Sequence, residues 1–266
     1  MKGQSRTRVP EGSSAHGWPW PPEDEVVIAV RAVTKKFVLR HTRSMKEAFV
    51  WLVKGRRGDL SERFRALDDV SFDIRKGESV ALLGLNGSGK STLLKLISGV
   101  MRPDDGDVAT RGRVAGLIEV GAGFHPDLTG RDNVFLNGAI LGMTQQEIEA
   151  KFDDIVAFSE IEQFIDTEVK FYSSGMYLRL AFAVAIHTTP DVFLVDEILA
   201  VGDEPFQKKC MARISEMVEQ GRTLVVVSHE LDKVATLCDR GILLEHGRMV
   251  LDGPVHDAIS RLRGGD

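Results

Sequence analysis

The chain has 266 residues, of which 43% are hydrophobic and 27% charged, and its formal net charge is −5. This balance is typical of one large globular domain, or of one domain with a subdomain, and the acidic charge argues against a dedicated nucleic-acid binder. Cys210 and Cys238 lie far apart and no CxxC pair exists, so the sequence predicts neither a zinc site nor a disulfide framework. No apolar run reaches the ~18 residues needed to cross a bilayer, and no apolar segment follows the basic residues near the N-terminus, so we expect a cytoplasmic protein.

Residues 1 to about 25 are rich in Gly, Ser and Pro, a composition that predicts a flexible tail. Trp18 and Trp20 are exceptions, since they could dock on the body of the protein or on a partner. The apolar run from Val26 to Val30 predicts the first strand, and it opens a domain that we expect to extend over 26–266.

An unusual segment, His41 to Arg65, separates the first predicted strand from the second. Ser44 and Glu47 match the sequence pattern of a capping box, and apolar residues that include Trp51 follow at helical spacing. The basic residues of the segment are Lys54, Arg56, Arg57, Arg63 and Arg65. The pattern predicts a basic amphipathic insert at 41–65, which is typical of a membrane–water interface. A helix packed on its own domain with a solvated basic edge is the alternative.

The remaining predicted elements alternate between strands and helices. The strands are Val70–Ile74, Val80–Leu83, Val192–Val195 and Thr223–Val227, followed by an antiparallel pair at Ile242–Leu244 and Arg248–Leu251. The helices are Thr92–Val100, one around Ile148–Phe158, and one from about Ser174 to Ile186. This alternation predicts a mainly parallel α/β core with a small antiparallel β part and an inserted helical subdomain at about 120–190.

The loop after the strand Val80–Leu83 matches the phosphate-binding pattern G-x-x-x-x-G-K-[ST] over Gly84–Ser91. Its glycines let successive backbone N–H groups point into one concavity that holds phosphate oxygens, and the following helix adds the positive end of its dipole. Lys90 is expected to reach the outer phosphates, and the Ser91 hydroxyl to ligate Mg²⁺. The predicted nucleotide-contacting residues of this segment are Gly84, Leu85, Asn86, Gly87, Ser88, Gly89, Lys90, Ser91 and Thr92.

Acidic and histidine side chains follow two other buried strands. Asp196 and Glu197 end the apolar run Val192–Val195, and His229 comes shortly after Val227. Ligands bind at the carboxyl ends of such strands, so we expect Asp196 to hold Mg²⁺ through its water shell and Glu197 to act as the general base toward water. His229 would contact the γ-phosphate, although a lone histidine is more often structural.

A further segment narrows the choice among ATPases with a phosphate loop. Tyr172–Arg179 precedes the acidic strand, opens a helix and resembles the L-S-G-G-Q signature of ABC transporter ATPases, which have a P-loop NTPase (RecA-like) fold. Ala200–Asp203 is similar to the D-loop of that family, and His229 to its switch histidine. The resemblance covers about 26–253, and all the main motifs occur in the order that is found in the family.

The resemblance implies a site shared between copies of the chain. Two copies would face each other head to tail, so that each ATP lies between the phosphate loop of one copy and Ser173–Gly175 of the other. Ser173, Ser174, Gly175 and Asp203 are therefore counted among the nucleotide-binding residues. Phe37 is the best match to the aromatic residue on which adenine stacks in this family, and a core phenylalanine is the alternative.

The motifs also depart from the family pattern. Ser174 stands where the signature has its first glycine, and Met176 where it has glutamine. Glu119 stands where the glutamine of the Q-loop is expected, and an acid there could still meet Mg²⁺ or water.

Several runs together resemble one branch of the family, the ATPases that export lipid-linked polysaccharides such as O-antigen, teichoic acid, capsule or cell-wall galactan. The runs are Gly121–Pro126, Thr129–Asn133, Tyr172–Met176 and Leu199–Asp203. The resemblance implies ATP and Mg²⁺ as cofactors. The implied partners are a second copy, two copies of a polytopic membrane permease and, through the permease, the polysaccharide; no nucleic acid is expected. The protein would act peripherally at the cytoplasmic face of the cell membrane, where the basic insert would contact the permease and anionic head groups. ATPases for another lipid or drug, and soluble ABC proteins that act on ribosomes or DNA, are the alternatives.

Overall fold

The computed structural model of the protein describes residues 25–39, 62–117, 121, 123–196 and 203–264. Nine strands are described: β1 (Val26–Leu39), β2 (Glu62–Arg75), β3 (Ser79–Leu83), β4 (Asp105–Thr110), β5 (Val114–Leu117), β6 (Val192–Asp196), β7 (Thr223–Val227), β8 (Arg240–Glu245) and β9 (Arg248–Pro254). The α-helices in the same ranges are α1 (Lys90–Ile97), α2 (Gly130–Ile140), α3 (Gln145–Ser159), α4 (Ser174–Ile186), α5 (Glu204–Glu219), α6 (Leu231–Leu237) and α7 (Val255–Gly264). Short 3₁₀ turns lie at Glu162–Phe164 and Val169–Phe171.

The described strands form two sheets. The larger has the order β5-β6-β7-β3-β8-β9, and all its pairs are parallel except the hairpin of β8 with β9. The smaller is antiparallel and has the order β2-β1-β4. The predicted α/β core with a small antiparallel part is therefore confirmed.

The central strands of the larger sheet are apolar because both of their faces are covered. Leu83, Val195 and Val226 belong to one buried cluster, which α4, α5, α6 and α7 complete. Leu82 and Val225, which point to the other face, belong to a second cluster that is closed by α1 and the antiparallel sheet. A third cluster fills the space among α2, α3 and α4, so α4 packs on both the sheet and the other two helices.

Several predicted boundaries were wrong. The predicted helix Thr92–Val100 begins two residues earlier, at Lys90, and ends at Ile97, whereas Gly99 does adopt the positive φ (77°) that favours glycine after a helix. The first strand does not end at Val30. It continues to Leu39, because an irregularity with Ala32 at φ 47° interrupts the alternation without ending the pairing.

The second strand is also longer than predicted, because it begins at Glu62 rather than Val70. The predicted end of the basic insert at Arg65 therefore overlaps this strand. Arg63 and Arg65 pair with Val38 and Lys36 in the antiparallel ladder. The rest of the predicted insert and the N-terminal tail lie outside the described residues. The predicted hairpin of β8 and β9 is confirmed, and its turn at His246-Gly247 has positive φ values (49° and 81°), as a type I′ turn requires. Within the described ranges, no helix is both long enough and apolar enough to cross a membrane.

Candidate functional site

The parallel strands β6, β7 and β3 are neighbours, and their carboxyl ends meet at one edge of the sheet. The phosphate loop follows β3, Asp196 ends β6, and His229 lies two residues after β7. A cavity of about 250 Å³ opens at this edge. Its lining residues are Phe37, Phe64, Ala66, Asn86, Gly87, Gly89, Lys90, Ser91, Thr92, Asp196, Val227 and His229. The structure thus brings half of the predicted site residues around one cavity, and these are Phe37, Asn86, Gly87, Gly89, Lys90, Ser91, Thr92, Asp196 and His229.

The phosphate loop is held between two strands at its glycines. Gly89 has φ 107°, and a Cβ atom there would lie 2.5 Å from the backbone oxygen of Ala66 in β2. Gly84 has φ 144°, and a Cβ atom there would lie 2.3 Å from the backbone oxygen of Leu244 in β8. A larger residue at either position would force the loop away from the sheet, so the tight packing explains why glycine is needed.

The Lys90 ammonium is buried under the loop at the start of α1. Its Nζ donates to the backbone oxygens of Gly84 (2.7 Å) and Leu85 (3.0 Å). The Ser88 hydroxyl is also buried, and within the described residues its Oγ has no hydrogen-bond partner. A buried cation, an unpartnered hydroxyl and the amino end of a helix together fit a polyphosphate anion.

The donors for a divalent cation lie on the same cavity. Ser91 and Asp196 offer a hydroxyl and a carboxylate, which are oxygen ligands of the kind that Mg²⁺ takes. No cluster of three or more His, Cys, Asp or Glu side chains suited to a metal occurs among the described residues. The hydroxyl of Ser91 and the carboxylate of Asp196 fit Mg²⁺, which usually keeps several waters and binds through phosphates as well.

The other end of the cavity is apolar. Phe37 of β1 and Phe64 of β2 are direct cross-strand neighbours, and both line the cavity together with Ala66. Phe64 is 46% exposed, so part of its ring is accessible beside Phe37 in the cavity. The sequence interpretation found Phe37 and missed Phe64 and Ala66, because it started the second strand at Val70. The two-residue spacing of Phe64 and Ala66 was the signal for a longer strand.

The segment that resembles the signature motif lies elsewhere. Ser173 caps α4, and its Oγ accepts the backbone N–H of Met176 (3.2 Å). Ser174 and Gly175 form the first turn of α4, and neither lines the cavity. The start of α4 therefore lies outside the cavity that its own phosphate loop lines.

Asp203 caps α5 and likewise does not line the cavity. Its Oδ1 accepts from Arg179 Nη2 at 2.7 Å. Burial is the largest single influence on the pKa of Asp203 and raises it, but the hydrogen bond and the charge of Arg179, together with backbone hydrogen bonds, lower the pKa by more, so the carboxylate stays ionised. The predicted residues Glu119 and Glu197 lie outside the described residues.

Comparison with known proteins agrees with this arrangement. The family model that describes the ABC transporter matches residues 67–200 of the chain. The chain belongs to the ABC transporter family. The fold of this ABC chain is similar to that of MJ0796, a dimeric ATP-binding cassette solved in a post-hydrolysis state with ADP and Pi (TM-score 0.66, 24% identity, 86% of this chain and 98% of that one).

The relatives indicate which branch of the ABC family the chain resembles. The chain is 48% identical to the ABC transporter protein AbcA of Aeromonas salmonicida, over 86% of this chain and 73% of that protein. It is 43% identical to the O-antigen export system ATP-binding protein RfbB of Klebsiella pneumoniae (85% and 92% covered). It is 41% identical to the teichoic acids export ATP-binding protein TagH of Listeria innocua (84% and 66% covered). The predicted resemblance to the polysaccharide-exporting branch is confirmed.

Proposed function

We propose that the chain is the ATP-hydrolysing subunit of an ABC transporter that exports a lipid-linked polysaccharide. One observation carries the proposal: the phosphate loop, Asp196 and His229 open on a single cavity. The chain that holds this cavity is over 40% identical to ATP-binding proteins named for O-antigen and teichoic-acid export. The protein would work peripherally, at the cytoplasmic face of the membrane.

Each residue of the proposed site has its own role in ATP binding or hydrolysis. Lys90 and the loop N–H groups bind and orient the phosphates. Ser91 and Asp196 would hold Mg²⁺, which would supply positive charge to neutralise the phosphate oxygens. Glu197 takes the proton from the attacking water, and His229 holds the γ-phosphate in line for that attack. Glu119 would contribute a further oxygen near Mg²⁺ or water.

The site would be completed by a second copy of the chain. Ser173, Ser174 and Gly175 lie at the amino end of α4 but off the cavity, so they are available to the ATP that is bound by the other copy. ATP would then close a head-to-tail dimer, and hydrolysis would open it. A polytopic membrane permease would convert this motion into export, and the basic segment before β2 would contact it and the anionic head groups.

Replacing Glu197 tests the ATPase directly. Glu197→Gln should lower the ATP hydrolysis rate by about 100-fold or more, because it removes the general base while ATP binding is kept. The control is Glu219→Gln, an exposed change at the far end of α5 that should leave the rate unchanged. Wild-type turnover by Glu197→Gln would show that another group is the base. Purification with a polytopic membrane protein would separate a transporter subunit from a soluble ABC protein that acts on ribosomes or DNA.

A further inference from the structure

A chain of ion pairs connects three elements near the segment that resembles the signature motif. Arg179 of α4 donates from Nη1 to Glu160 Oε2 (2.9 Å) and from Nη2 to Asp203 Oδ1 (2.7 Å). Lys209 of α5 donates from Nζ to Glu160 Oε1 (3.1 Å) and to the backbone oxygen of Phe158 (3.0 Å). We call Glu160, Arg179 and Asp203 the carboxylate relay.

Arg179 is fixed more firmly than a surface arginine. Its side chain is only 20% exposed, and its guanidinium lies 5.0 Å from the ring centre of Phe206, which is itself buried. It donates to the two carboxylates from separate nitrogens of one planar fork, a geometry that a lysine ammonium, which is a point charge, does not reproduce. The two carboxylates and the Phe206 ring thus restrict the position of the guanidinium.

Glu160 is placed for this contact by its backbone. It follows the last residue of α3 and adopts φ 58°, ψ 36°, a left-handed conformation that is uncommon for a residue with a side chain. The helix ends there, and the carboxylate meets both Arg179 and Lys209. A left-handed residue commonly ends a helix, and here that residue is a glutamate whose carboxylate reaches two cations.

Asp203 is the second carboxylate that Arg179 contacts. The same Oδ1 that accepts from Arg179 also accepts the backbone N–H of Phe206 (3.4 Å), so the cap of α5 and the ion pair share one atom. Arg179 lies six positions after Ser173, less than two turns along the same helix. The start of α4 and the start of α5 are therefore tied to each other through one side chain.

We propose that Glu160 is a positioning residue: it orients Arg179, which fixes Asp203 relative to Ser173–Gly175, so that both segments are presented to the second copy in one geometry. The inference rests on the proposed function, in which these two segments meet the other copy. The relay does not touch the cavity of its own chain. Its loss therefore weakens ATP-driven dimerisation and leaves nucleotide binding to a single chain unchanged.

The test measures dimerisation and nucleotide binding separately. In a Glu197→Gln parent, which holds ATP without turnover, Glu160→Gln should raise the MgATP-dependent dimer dissociation constant. We expect about threefold per site, hence roughly tenfold for a symmetric dimer that contains the relay twice. The dissociation constant of a fluorescent ATP analogue, measured on dilute monomer, should be unchanged. Glu162→Gln, an exposed change two residues along the chain, is the matched control and should leave both quantities at the parental value.

A second variant guards against simple loss of folding. Arg179→Lys should weaken dimerisation at least as much as Glu160→Gln, and the double variant should be no weaker than Arg179→Lys alone, because both changes break one relay. Parental dimerisation by Glu160→Gln, or an equal loss of monomer nucleotide binding, would overturn the proposal. Should the parent itself fail to dimerise with MgATP, the shared site of the proposed function would fall together with the relay.

Discussion

The aromatic pair Phe37 and Phe64, at the apolar end of the cavity where the nucleotide base is expected (the base end), gives a quantitative prediction. Phe37 and Phe64 lie on neighbouring strands and line one cavity, so a nucleotide base is expected to contact both rings. Removing an aromatic ring from a base-stacking site costs about 1–3 kcal/mol. Phe64 is 46% exposed, so the low end applies to it, and Phe64→Ala should weaken ATP binding by about 1 kcal/mol, or roughly fivefold. For Phe37→Ala we expect about 2 kcal/mol, or roughly 30-fold.

The assay is the dissociation constant of ATP for the monomer, measured by displacement of a fluorescent analogue. Val38→Ala is the matched control, since Val38 is an exposed neighbour on β1 that is absent from the cavity lining. Inorganic tripolyphosphate has no base, so its binding should be unchanged in all three variants. Unchanged ATP affinity in Phe64→Ala would refute the second aromatic contact. Equal losses for ATP and tripolyphosphate would show that the substitution disturbs the phosphate loop instead.

Two further predictions follow from buried ionisable groups. Burial raises the pKa of both Cys210 and Cys238 to about 12. In the native protein neither thiol should therefore react with a thiolate-selective reagent at pH 8, whereas both should react in urea. Fast labelling of the native protein would contradict the buried positions of the two thiols. Burial also lowers the pKa of His187, whose Nδ1 lies 2.7 Å from the backbone oxygen of Ala183. An unfolded histidine takes up its proton near pH ~6.5, so the free energy of unfolding should fall as the pH drops below that value. His187→Asn should show a shallower fall in urea titrations, and equal slopes would refute the assignment.

The phosphate site could be predicted from the sequence because each of its parts is local. The loop after β3, the acids Asp196 and Glu197 after the apolar run Val192–Val195, and the histidine after β7 each lie within a few residues of an apolar strand, and parallel pairing then brings the strand ends together. The base end was only half predicted, because Phe64 and Ala66 lie before the predicted start of the second strand at Val70, and Asp69 at φ 57° interrupts the alternation between them and that start.

The carboxylate relay could not be predicted from the sequence. Its contacts join Arg179 to residues 19 and 24 positions away, and they depend on where α3 ends and α5 begins. Sequence periodicity gives the apolar face of a helix, but it does not give the partner of a charged side chain on another helix. The signature segment was recognised as a motif, yet only the structure shows that it lies off its own cavity.

The cargo is tested most directly in cells depleted of the protein. If the chain powers polysaccharide export, lipid-linked glycan should accumulate on the cytoplasmic side, and wild-type protein should clear it while Lys90→Ala should not, because that change removes the cation under the phosphate loop. Depletion without accumulation of lipid-linked glycan would contradict export of a polysaccharide and favour an ABC ATPase for another lipid or drug.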